Sequence, residues 1–134
     1  MSNMKVLQEI YHAFGTGDLP AILERLSESV EWEYGSTPCA ASWLERRTGK
    51  DGAQAGLVAT FTSMEVKSFV PKAFIEGEGV IVVLFDTEFV VKATGKTVKE
   101  VDAAHIWRFD GQGKVAQFRH RVDTLQQHNA SSAS

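Results

Sequence analysis

The stretch GVIVVLFDTEFVV, residues 79–91, constrains the fold more than any other. Side chains alternate across a strand. Ile81, Val83, Phe85, Phe89 and Val91 therefore share one side, and Val82, Leu84, Asp86, Glu88 and Val90 the other. Both sides carry large apolar groups, so both need cover. Helices of the same chain can cover one. A second copy of the chain is the natural cover for the other, so a homodimer through the outer sheet face is expected.

The remaining pattern supplies those helices first. In NMKVLQEIYHAFGTGD, Leu7, Ile10, Tyr11 and Phe14 recur at helical spacing. Asp18 can cap a second helix, LPAILERLSES, with Pro20 tolerated in its first turn. SVEWEYG then alternates, with Val30, Trp32 and Tyr34 on one side and Glu31 and Glu33 on the other. STPCAASWLERRT has no period and reads as a loop, and GKDGAQAGLVATFTSM reads as a third helix. From Val66 the chain is β, broken by turns at EGEG, ATGK and DGQG. Helices followed by antiparallel strands give an α+β fold. Residues 1–127 are expected to form one domain and residues 128–134 a disordered tail.

Composition excludes several functions. Fourteen basic and 17 acidic side chains leave a net charge of -3, too little positive charge for a nucleic-acid binder. The one cysteine, Cys39, allows no internal disulfide and fits a reducing compartment. The N-terminus has no signal-peptide layout and no apolar run would span a bilayer, so a cytoplasmic protein without membrane contact is expected. GQGK lies in a hairpin rather than before a helix and is no phosphate loop.

The candidate site comes from pairing the hairpins. With DGQG as a four-residue loop, His105 faces Phe118, Trp107 faces Ala116 and Ala103 faces His120. With TG as a two-residue loop, Leu84 faces His105 and Asp86 faces Ala103. One face then collects Leu84, Asp86, Glu88, His105, Trp107, Phe118 and His120. Two imidazoles and two carboxylates rimmed by aromatics suit a pocket rather than a core. A register slip of one residue would turn Asp86 and Glu88 to solvent. Two imidazoles and a carboxylate also suit iron or zinc, but no ligand-spacing motif supports a metal, and none is expected.

YHAFGTGDLPAILERLSESVEW, TGKDGAQAGLVATF and HIWRFDGQGKVAQFRHRVDT together resemble the nuclear transport factor 2-like superfamily, closest to its SnoaL-like and ketosteroid isomerase-like members. The resemblance spans nearly the whole chain. It implies a cone: three helices on the concave side of a curved antiparallel sheet, enclosing a pocket, with dimerisation through the sheet's outer face. Matching RFDGQGKV to the isomerase hairpin puts His105 where those enzymes carry the acid of their oxyanion hole, a carboxylic acid kept neutral by an apolar site. The isomerases' general base aligns with Tyr34, and their helix-one tyrosine with Ile10, beside Tyr11. With all three positions changed, the resemblance implies the cavity without ketosteroid isomerase activity. The acid of SnoaL-like cyclases aligns with Asp123 in RVDT. Alternation from His120 turns Asp123 outward, a strand bulge would turn it inward, and it could instead cap a final turn through DTLQ.

The expectation is a cofactor-free acid/base enzyme of isomerase, cyclase, dehydratase or hydrolase type, acting on a small apolar or aromatic molecule. His105, Asp86, His120 and Asp123 are its candidate catalytic groups, and Trp32, Tyr34, Leu84, Glu88, Trp107 and Phe118 shape the pocket. The alternatives are a non-catalytic binder of such molecules and a dimeric scaffold.

Overall fold

The computed structural model describes residues 2–33 and 39–133. Helix α1 spans Asn3–Thr16 and buries Val6, Leu7, Ile10 and Ala13. It ends at Gly17, whose φ of 69° is a left-handed conformation that glycine adopts without strain. Asp18 accepts from the Ala21 N–H at 3.2 Å and starts α2, Leu19–Glu24. This helix is shorter than its sequence pattern suggests. The Ser27 hydroxyl accepts from the Ser29 N–H, a local bond that competes with a helix. Strand β1, Leu26–Trp32, starts there instead.

A short helical turn at Ser42–Leu44 and a two-residue strand β2, Arg47–Thr48, lie within the segment that looked aperiodic. Helix α3 spans Gly49–Ser63. Strands β3 (Met64–Gly77), β4 (Val80–Val91), β5 (Thr97–Phe109) and β6 (Val115–Arg121) follow. The six strands form a curved, unclosed sheet in the order β2-β1-β6-β5-β4-β3. All neighbours are antiparallel except β1 and β6, which run parallel. No helix is long and apolar enough to cross a membrane among the described residues.

One core lies between α1, α2, α3 and the sheet, centred on Leu7, Ile10, Trp32, Leu57, Trp107 and Phe118. A second, around Trp43, Leu44, Phe89, Val98 and Ala130, lies at the other end. Ala130 belongs to α4, Thr124–Ser131, so the C-terminal segment expected to be disordered is helical through Ser131. Tertiary contacts hold it: Gln127 is buried, and Thr94 donates to the Ala130 carbonyl at 2.5 Å.

The hairpin registers differ from the sequence reading, with different consequences. Between β5 and β6, Trp107 lies opposite Phe118 and His105 opposite His120. That is a slip of two residues, which preserves faces. Between β4 and β5 a bulge intervenes. Phe85 pairs with Ala103 and Thr87 with Glu100, so Val101 and Asp102 together stand opposite Asp86. Asp102 takes a φ of 60°, and its N–H donates to Asp86 Oδ1 at 3.0 Å. The extra residue inverts β4 relative to His105. Phe85, Thr87 and Phe89 point inward, while Leu84, Asp86 and Glu88 face out.

Candidate functional site

The concave side of the sheet and the helices enclose a cavity of about 560 Å³. Its walls are mostly apolar and rich in phenylalanine: Phe14 from α1, Phe61 from α3, Phe69 from β3, Phe85 and Phe89 from β4, and Phe118 from β6. Two histidines interrupt them. His105 and His120 lie on neighbouring strands with ring centroids 4.9 Å apart, edge to face.

Each imidazole has its own partner. The Trp107 indole N–H donates to the Tyr11 hydroxyl at 3.0 Å, and that hydroxyl lies 2.6 Å from His105 Nδ1. Indole N–H is only a donor, so the Tyr11 oxygen accepts from Trp107 and its proton goes to His105. Burial pushes the Tyr11 pKa further up, keeping that proton in place. Burial also pushes the His105 pKa down to about 3, so the ring is neutral at ordinary pH. With Nδ1 accepting, the ring proton sits on Nε2, and His105 is a neutral hydrogen-bond donor. Phe85, 4.3 Å away between centroids, and Phe118, 5.1 Å away, complete its apolar surroundings.

His120 meets a carboxylate instead. Its backbone N–H donates to Glu33 Oε1 at 2.9 Å, and its Nδ1 contacts Glu33 Oε2 directly. Glu33 follows β1 and should point outward by alternation. Its φ of 63° turns it inward, where it is 3% exposed and its N–H donates to the Phe118 carbonyl at 2.8 Å. Burial pushes the His120 pKa down, while the adjacent Glu33 carboxylate favours the charged ring and acts the other way. His120 differs from His105 in having a carboxylate at its Nδ1. Engaged at Nδ1, it keeps Nε2 as its proton acceptor.

The other sequence candidates divide. Trp32 and Phe118 line the cavity, while Trp107 is buried behind it and acts through Tyr11. Asp86 lies on the outer face, ion-paired with Lys72 at 2.7 Å, and that pair holds its carboxyl below the usual carboxylate range. Glu88 faces out toward Lys99, 3.7 Å away, and Leu84 is on the same outer face. The histidines and these carboxylates thus lie on opposite faces of the sheet. Asp123 is exposed and caps α4, accepting from the Gln126 N–H at 3.0 Å. Tyr34 falls outside the described residues. Sequence reasoning missed Tyr11 and Glu33 as site residues. Tyr11 was visible in the stripe of the first helix, whereas nothing in the sequence signalled the turned backbone at Glu33.

The profile of the SnoaL-like domain matches residues 7–118, most of the chain. The chain belongs to the SnoaL-like family. Its fold is similar to that of an NTF2-like protein of unknown function from Burkholderia pseudomallei, with 28% identity, coverage of 99% of this chain and 100% of that one, and a TM-score of 0.83. It is also similar to TerC, crystallised with polyporic acid, at 23% identity, 96% and 97% coverage and a TM-score of 0.77. SalBIII, an epoxide hydrolase/cyclase-like enzyme with a role in pyran ring formation in the polyether salinomycin, matches at 18% identity, 92% coverage of each chain and a TM-score of 0.73. No curated protein matches the chain. Likenesses at this level of identity show the fold alone, and the chemistry here has to come from this chain's own residues.

Proposed function

We propose that this SnoaL-like protein binds a small, neutral, largely apolar molecule in its cavity and moves a proton on it, as an acid/base catalyst without a cofactor. His120, backed by Glu33, removes a proton from carbon next to a carbonyl. His105, held by Tyr11, donates through Nε2–H to the carbonyl oxygen as charge builds there. The C–H electron pair becomes the C=C bond of an enolate, and the carbonyl π pair moves onto the oxygen, where the His105 N–H holds it by a hydrogen bond. From that species isomerisation, ring closure or elimination can follow.

One observation carries the reading. Two imidazoles with different partners face one cavity, whose described walls contain no lysine, arginine, aspartate or glutamate. Such walls favour a neutral substrate and strengthen each hydrogen bond to developing charge. TerC, on the same fold, was crystallised with polyporic acid, which is consistent with a cyclic organic ligand. We further propose a homodimer through the outer sheet face, and a cytoplasmic setting in keeping with the free Cys39.

The test is deuterium exchange into β-tetralone, a neutral enolisable bicyclic ketone, followed by NMR. The protein should speed loss of the proton next to the carbonyl, and His120→Ala should slow it by about a hundredfold or more. Bound but unexchanged tetralone would make the protein a binder rather than a catalyst. Absence of binding would reject the cavity as a site for this class.

A further inference from the structure

The end of the cavity away from the histidines repeats their construction with different residues. Gln127, from α4, lines the cavity and is 3% exposed. The Trp43 indole N–H donates to its Oε1 at 2.8 Å, and its Nε2 donates to Glu100 Oε2 at 2.5 Å. The other oxygen of Glu100 accepts from the Asp123 backbone N–H at 2.6 Å. Glu33 does the same at the opposite end, taking one backbone N–H and backing one neutral side chain that faces the cavity.

These partners fix the amide. Indole only donates and carboxylate only accepts, so Oε1 must face Trp43 and Nε2 must face Glu100. An amide has two N–H donors and two lone pairs on oxygen, and each partner uses one. One N–H and one lone pair remain, without a partner among the described residues. A buried polar group in that condition is unfavourable unless water or a ligand meets it.

We infer that Gln127 is a second polar subsite, and that the cavity takes an elongated, neutral aromatic or polycyclic molecule with a hydroxyl or carbonyl at each end. This rests on the reading of the cavity as a substrate site. Glu100 precedes His105 by five positions on β5, with the bulge between them. A strand rises by about 3.3 Å per residue, so the two ends lie about 13–16 Å apart along the strand. Phe85, Phe89 and Trp43 line the same cavity. A hydroxyl suits Gln127 best, because it can accept the free N–H and donate to the free lone pair.

Two probes test this by calorimetry on the full chain: biphenyl with one para hydroxyl, and biphenyl with a para hydroxyl on each ring. The imidazole NMR signals of His105 and His120 report occupancy of the first end. The diol should bind about tenfold more tightly than the mono-ol, one net hydrogen bond at each partner atom. Gln127→Met combined with Glu100→Gln should remove that preference while both probes still shift the imidazole signals. The wild-type comparison stands even if the double variant folds poorly. Equal affinities with shifted imidazole signals would overturn the subsite and leave the histidine site intact. A preference that survives the double variant would also overturn it. Failure of both probes to bind would overturn the subsite together with the reading on which it rests.

Discussion

Glu33 and Asp102 are the two non-glycine residues in left-handed backbone among those described, with φ of 63° and 60°. That conformation costs a non-glycine residue about 1–2 kcal/mol. Glu33 is turned onto His120, and Asp102 forms the bulge that selects which face of β4 meets the cavity. Neither is legible from alternation, which assumes an unbroken strand. His105 was legible because a polar ring in an apolar strand stands out, and its burial has a consequence for stability. The unfolded chain protonates this ring near its ordinary value of 6.5, whereas the folded chain keeps it neutral down to about 3. Between those values the unfolded state binds more protons, so stability is full above 6.5 and falls as pH drops toward 3. Urea midpoints measured across this window should fall less steeply for His105→Phe than for the wild type. Identical slopes would mean that the ring is already charged in the fold.

At the scale of elements, the order of helices and strands, the third helix and the main hairpins follow from periodicity and turn residues. The register of β4 on β5 does not, since one extra residue at Val101–Asp102 changes every facing pair beyond it. Helix α4 was missed because its stability comes from Gln127, Ala130 and Thr94 contacts rather than from an apolar stripe. Helix α3 contains glycines that weaken it, and one of them has a packing reason. A Cβ on Gly56 would lie 2.9 Å from the Trp32 ring. Trp32 cannot retreat easily, being 2% exposed and packed on Phe118 with centroids 4.3 Å apart. Despite the higher helix propensity of alanine, Gly56→Ala should destabilise the fold by about 1–3 kcal/mol in urea unfolding. A neutral or stabilising result would contradict the close packing of α3 on β1.

At the scale of the molecule, the outer sheet face carries rows that the chain leaves uncovered. Ile75, Val82 and Ile106 are aligned across β3, β4 and β5, as are Ala73, Leu84 and Ala104. Ile75 is 53% exposed. A face of this kind is unfavourable in water and fits the proposed second copy. Sedimentation should give a dimer, and Leu84→Arg should weaken it about a hundredfold or more by placing a charge at the centre of the contact. A wild-type monomer at micromolar concentration would remove the dimer from the account. Leu84 was expected to line the cavity, and the bulge is what assigns it to this surface instead.

The central claim is that one apolar cavity holds two neutral histidines set for different tasks, one to donate and one to accept. Nitrogen-15 spectra of the histidine side chains at neutral pH test it most directly. The account predicts a neutral His105 with its proton on Nε2 and a His120 with its proton on Nδ1, both shifting when β-tetralone is added. A charged His105, matching tautomers on the two rings, or signals indifferent to the ketone would contradict it.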